Sequence, residues 1–248
     1  MLVGTFTFFN ESDLMVHQLE TMLSVCDKLV IQSDNATEDC LDIAESYADG
    51  KDVYLLKNIK KDNFNERDEV GDRQRLLSKA RDLGATTCYH TDVDEIISPR
   101  CLPLFSDILK SYKGDKILRM YRYDLWDNAH NYRLPRTGHN SGKVIPMEKP
   151  PMDGGTTPYI FPVLKDSNYI PRPIPNFHAG RVPIMNLPEE LCPGVDVIHY
   201  GYYKRSLITS KGKFYQINST VTHNSWGPDM EVTAAEYISN WGMGRFKR

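Results

Sequence analysis

The chain has 248 residues, 40% of them hydrophobic and 25% charged, with a net charge of −3, which excludes a disordered or fibrous protein. No run of about 18 uncharged apolar residues is present, so neither a membrane span nor a secretory leader is read, and a soluble, cytoplasmic chain is expected. Cys26, Cys40, Cys88, Cys101 and Cys192 are scattered and form no CxxC pair, which excludes a disulfide framework and a zinc site of cysteine ligands.

The first predicted strand is "LVGTFTFFN", rich in β-branched and aromatic residues. It stops at "NESD", where Asn10, Ser12 or Asp13 can cap a helix through "LMVHQLETMLSV" with Leu14, Leu19, Met22 and Leu23 on one stripe. "KLVIQSD" reads as a second strand, "SDNATED" as a turn and cap, "CLDIAESYAD" as a second helix, and "DVYLL" as a third strand. Strand, helix, strand, helix, strand at this spacing predicts a parallel, right-handed βαβαβ unit covered by helices on both faces. A third helix is predicted over residues 66–83, with Leu76, Leu77 and Ala80 inward, followed by a fourth strand in "GATTCYHTDVDE".

That fourth strand ends in three acids, Asp92, Asp94 and Glu95. Like charges so close together need a basic side chain, a metal ion or solvent to offset them. Ligands of open α/β sheets bind outside the carboxyl ends of the strands, where strand order reverses, so the acids stand where a site would be. Two carboxylates one residue apart suit Mg²⁺ or Mn²⁺, which take few protein carboxylates and complete their shell with phosphate oxygens and water.

Beyond residue 100 the pattern changes. "KILRMYRYDLWDN" predicts a long strand, then come some seventy residues dense in Pro, Gly and aromatics as far as "DVIHYGYYKR", and the tail "MEVTAAEYISNWGMGRFKR" reads as containing a short helix. Charge is uneven as well: residues 1–100 hold 11 Lys and Arg against 20 Asp and Glu, and residues 101–248 hold 19 against 13. The basic second part suits either an anionic partner or the acidic surface of the first part; no basic block marks a nucleic-acid surface. No repeat or linker divides residues 1–248, so one domain is expected. His199 follows the β-like "VDVI" and is a candidate to complete a metal shell, with His178 in "NFHAGR" a rival. Tyr121, Tyr123, Trp126, Tyr132, Tyr159, Tyr202 and Trp226 are candidate stacking platforms for a ligand.

The ordered set "TFFNESD", "SDNATEDC" and "DRQRLLSKARDLGATTCYHTDVDEII" resembles the family 2 type glycosyltransferases, which have the GT-A fold; the likeness covers about residues 1–100 and beyond them only "VIHYGY". The resemblance implies an α/β, Rossmann-like nucleotide-diphospho-sugar transferase fold with a mostly parallel central sheet flanked by helices. Residues 1–100 would form the nucleotide-binding half and residues 101–248 the acceptor-binding half. It implies that Asp34 contacts the base, that Thr5, Asn10 and Glu11 line the nucleotide pocket, and that Arg73, or failing it Arg75, approaches the phosphates. Asp92 would hold the ribose or metal-bound water, and Asp94 the Mn²⁺ or Mg²⁺, with His199 as a further metal ligand. The donor would be a UDP- or GDP-type sugar and the acceptor a glycan, a protein or a lipid-linked sugar, with inversion at the transferred carbon.

The acid that takes the acceptor's proton is open between Asp153, Glu189 and Glu190, because the Glu-Asp pair common in inverting relatives does not occur after residue 100. An anchor-free transferase would also suit a virus or bacteriophage. Two other readings stand beside this one. A nucleotidyltransferase shares the fold but carries a Gly-rich basic loop after its first strand, which "GTFTFFNESD" lacks; a non-catalytic carbohydrate-binding protein would keep the fold without turnover.

Overall fold

The computed structural model describes residues 1–50, 52–58, 68–125, 131–133, 156–170, 180–200 and 231–233. The first half follows the predicted alternation: β1 (Leu2–Phe8), α1 (Ser12–Leu23), β2 (Lys28–Ser33), α2 (Glu38–Ala48), β3 (Val53–Leu56), α3 (Glu69–Asp82) and β4 (Thr87–Asp92). β1 pairs in parallel with β2 on one side and β4 on the other, and β2 pairs in parallel with β3. The chain therefore builds outward from β1 to β3 and returns to lay β4 on the opposite flank. Strand order reverses between β1 and β4, and the acids lie at the carboxyl end of β4.

Both faces of this parallel sheet are covered, and the side-chain alternation of β1 shows how. Phe6 and Phe8 point to a core shared with Met15, Leu19 and Met22 of α1 and Cys40 and Ala44 of α2. Val3 points the other way, to a core with Val30 of β2 and Leu76 and Ala80 of α3. A strand buried on both faces must be apolar at nearly every position, which is why "LVGTFTF" does not alternate. Gly4 is small for a reason: a Cβ there would meet Met22 Cε at 2.6 Å and Leu29 Cδ2 at 2.7 Å, so its absence lets α1 lie close on β1. Asp68 caps α3 by accepting a bond from the Gly71 amide at 2.9 Å.

The second half widens the sheet with β5 (Glu95–Ile97), α4 (Leu102–Ser111), β6 (Ile117–Leu125), β7 (Asn131–Arg133), β8 (Thr156–Pro162), β9 (Glu189–His199) and β10 (Glu231–Thr233). β8 runs antiparallel between β4 and β6, and the order across the sheet is β10-β7-β6-β8-β4-β1-β2-β3. β9 lies off this path. It pairs in parallel with β6 and, at its far end, antiparallel with β5, where Glu95 stands opposite His199. The β6–β9 register slips between Arg119 and Tyr121. Gly194, in the β9 stretch opposite that slip, has φ of +80°, which a side chain would strain. The α/β fold class is as expected, whereas α4 was not anticipated. The predicted tail helix falls outside the described residues, apart from 231–233, which are strand.

Asp196 on β9 is buried, and burial pushes its carboxyl up to about 6 against the opposing pull of Arg100. The folded chain thus keeps a proton that the unfolded chain has lost. The corresponding stability is complete below about pH 4 and disappears as pH rises through about 6. Asp196→Asn should accordingly flatten the fall in stability between about pH 4 and pH 7 by on the order of 2 kcal/mol, read from urea melts of both proteins at each pH. An unchanged slope would contradict this account of Asp196.

Candidate active site

The turn that carries the acids is tied from two directions. Gln18, fully buried on α1, donates from Nε2 to the carbonyls of Asp92 at 3.1 Å and Glu95 at 2.9 Å. Thr91 Oγ1 reaches the same two carbonyls at 3.3 and 3.0 Å. The Asp94 carbonyl accepts from the Tyr200 amide at 2.7 Å, so the residue following β9 is attached to the same turn. Buried carbonyls that leave the strand ladder need such partners, and here they are met by side chains from α1 and β4.

The three carboxylates then separate by partner. Glu95, with no exposed side-chain surface, is forked by Arg181, Nη1 to Oε2 at 2.5 Å and Nη2 to Oε1 at 2.6 Å, and takes a further bond from Arg122 Nη1 at 3.1 Å. Asp92, 31% exposed, has Oδ2 at 2.8 Å from Arg181 Nη2. Burial works against charging Asp92, but Arg181 and then Arg73 outweigh it and hold the carboxyl down at about 2. Asp94 Oδ2 faces His199 Nε2 at 3.3 Å. The β5–β9 pairing helps to bring that meeting about, since it puts two residues more than a hundred apart in sequence at one strand end.

Asp92, Asp94 and His199 thus gather at one mouth, though not as a single ligand set. Asp92 has been drawn to Arg181, and among the described residues no three His, Cys, Asp or Glu side chains are arranged to hold one ion. Asp94 and His199 fit a divalent cation better: a carboxylate oxygen and an imidazole nitrogen, close and convergent, form a donor pair suited to Mn²⁺.

The other expected residues are less uniform. Asp34 is half-buried just past β2, its amide donating to the Phe8 carbonyl at 2.8 Å, so it stands beside the end of β1. Asn10 is exposed, and Glu11 turns Oε2 back on the amides of Phe9 and Asn10, both at 3.0 Å, which serves its own turn. Thr5 is buried in mid-strand with Oγ1 at 2.9 Å from His90 Nδ1. Burial, then Arg73, keeps the His90 imidazole well below its ordinary pKa and neutral.

Arg73 is also buried; it donates to the Gly180 carbonyl at 2.6 Å and pairs with Glu69 at 2.5 Å, which braces the stretch that carries Arg181. Arg75 pairs with Asp72 and donates to Asn58 Oδ1 at 2.8 Å. Glu189 and Glu190 are exposed at the opposite end of β9, ion-paired with Arg119 and Lys116. Glu189 lies seven β6 positions from the partner of His199, roughly 23 Å at the usual strand rise, and Glu190 lies six. Asp153, His178, Trp126, Tyr202 and Trp226, together with the Tyr132 side chain, lie outside the described residues. Tyr121, Tyr123 and Tyr159 are buried and present no open ring face to a sugar.

No protein-family model matches the chain, and no curated protein matches it. Among solved structures it is similar to S. aureus TarS residues 1–349 in complex with UDP-GlcNAc, at 13% identity and a TM-score of 0.47, over 98% of this chain and 71% of that one. The UDP complex of the same protein gives 12% identity and 0.48, over 98% and 70%. A mannose-1-phosphate geranyltransferase from Thermus thermophilus gives 14% identity and 0.35, over 55% and 46%. Likeness of this order carries no inference about the chemistry of this chain.

Glu95 is the buried charge on which the cluster turns. Glu95→Gln leaves Arg181 and Arg122 converging on a neutral amide, and should cost about 3–5 kcal/mol of unfolding free energy, the range for a broken buried ion pair. Urea denaturation measures it; a loss below about 1 kcal/mol, the size of an ordinary surface pair, would contradict the assignment.

Proposed function

We propose that the chain is a glycosyltransferase that moves a sugar from a nucleoside diphosphate sugar to a hydroxyl of a glycan, a protein or a lipid-linked acceptor. The observation that carries this reading is the approach of His199 Nε2 to Asp94 Oδ2, 3.3 Å apart at the carboxyl end of β4, beside the point where strand order reverses. A carboxylate and an imidazole from opposite halves of the chain converge there, next to a guanidinium that already answers the neighbouring acid.

Asp94 and His199 would hold Mn²⁺ or Mg²⁺, with the remaining positions left to the donor's phosphates and water. Such an ion stabilises the charge that develops on a diphosphate leaving group. Asp92, kept ionised, is an acceptor for a ribose or sugar hydroxyl at the mouth, and Asp34 is the proposed contact to the base at the edge formed by β1 and β2. For the acid that takes the acceptor's proton we retain Asp153, on its sequence alone, and with it an inverting displacement.

Thermal stabilisation by UDP, GDP, TDP and CMP, each with and without Mn²⁺, tests the reading on the native chain, Asp94→Ala and His199→Ala. A nucleoside diphosphate at a hundredfold excess over its Kd should stabilise the native chain by about 2.7 kcal/mol, only when Mn²⁺ is present, and both variants should lose the effect. No stabilisation by any nucleotide would overturn the proposal and favour a carbohydrate-binding protein without turnover.

A further inference from the structure

We propose that Arg181 is the fixed cation that receives the diphosphate of the donor, and that Glu95 is the positioning residue holding it; this rests on the donor-site reading above. The first support is the degree to which Arg181 is constrained. Its backbone is pinned on both sides, with the Gly180 carbonyl taking Arg73 Nη1 at 2.6 Å and its own carbonyl taking the Tyr169 hydroxyl at 3.2 Å. Its guanidinium is pinned by the two-point fork on Glu95, and its Cζ lies 5.8 Å from the centre of the Tyr159 ring. An arginine ordered at every point before ligand arrives has little conformational entropy left to lose on binding.

The second support is which part of the guanidinium remains. A guanidinium carries five N–H donors in a planar fork. The contacts to Glu95 and Asp92 use one on Nη1 and both on Nη2, leaving Nε–H and the second Nη1–H without a partner among the described residues. Paired donors in one plane match the oxygens of a phosphate group better than a lysine ammonium does. Asp92 marks the direction of the mouth, because among the described residues it is the partner of Arg181 that reaches solvent, at 31% exposure, while Glu95 is sealed below.

Charge completes the argument. Within this cluster Arg181 and Arg122 stand against Asp92 and Glu95, and Asp94 faces His199. A divalent cation at Asp94 would add positive charge at the mouth, which a diphosphate then meets from two sides, the cation on one and Arg181 on the other. A purely structural role, stapling the stretch around residue 180 to the sheet, requires the Glu95 fork but gives no reason for the same guanidinium to lean on a half-exposed acid.

The experiment is calorimetric titration of the full chain, with Mn²⁺ present, by UDP and GDP and by the matching nucleosides uridine and guanosine. The variants are Arg181→Lys and the double Glu95→Gln with Arg181→Gln, the latter removing one charge of each sign so that the buried pair is replaced as a whole; cooperative melting establishes that each is folded. The expected result is a tenfold or greater loss of diphosphate affinity in both variants, with nucleoside affinity changed less than twofold. Diphosphate affinity within twofold of the native chain in the folded double variant would overturn the role of Arg181 while leaving the donor site standing, and an equal loss for nucleoside and diphosphate would overturn it too. A native chain that binds no nucleoside diphosphate would overturn the donor-site reading, and this proposal with it.

Discussion

A carboxylate with no exposed surface cannot stay charged without partners, and Glu95 has two guanidiniums. One comes from β6 and the other from the stretch around residue 180, so a single buried charge holds together three parts of the chain distant in sequence. The rest of the site depends on that arrangement. The Glu95 backbone is the register partner of His199, and fixing it fixes where β9 ends and therefore which side chain meets Asp94. Arg73, under the sheet, braces the same stretch from the other side through the Gly180 carbonyl.

This arrangement divides the work among acids that are neighbours in sequence. Glu95 is structural, buried beneath the mouth. Asp92 is partly exposed and held ionised by Arg181. Asp94 is turned toward an imidazole. Strand alternation contributes to the separation: His90 and Asp92 share the face of β4 that looks toward Arg73 and Arg181, whereas Thr91 turns to the face on which Gln18 of α1 waits. The repulsion inherent in three adjacent carboxylates is thereby relieved by two arginines at two of them, with the third turned toward the imidazole and the proposed cation.

Much of the first half was legible in the sequence because each signal there is local. β-Branched runs, capping residues and helical stripes are decided within a dozen residues, and they located β1 to β4 and α1 to α3. The acids could be placed at a strand end by the same reasoning. What was not legible is the network that answers them. Arg181 sits in "HAGRV", whose surroundings give no periodic signal, and its partners are set by sheet order. Arg122 did leave a trace: it falls on the same face of β6 as the buried Leu118 and Met120, and an arginine in an apolar register calls for a buried acid. Gln18 left a similar one, a polar residue on the inward stripe of α1. Glu189 and Glu190 mark the limit of local signals, because a pair of acids looks alike in sequence whether it faces a substrate or two surface cations. The α4 helix was not anticipated; its Pro103 sits in the first turn, where proline is accepted.

The central claim is that Asp94 and His199 form half of a cation site that only a nucleoside diphosphate completes. Free Mn²⁺, followed by electron paramagnetic resonance as the full chain is added with and without saturating nucleoside diphosphate, tests it most directly. Weak uptake by the chain alone, rising to one ion per chain when the diphosphate is present and lost in His199→Ala, is the predicted result. Uptake that is unchanged by every nucleoside diphosphate, whether tight or absent, would contradict it.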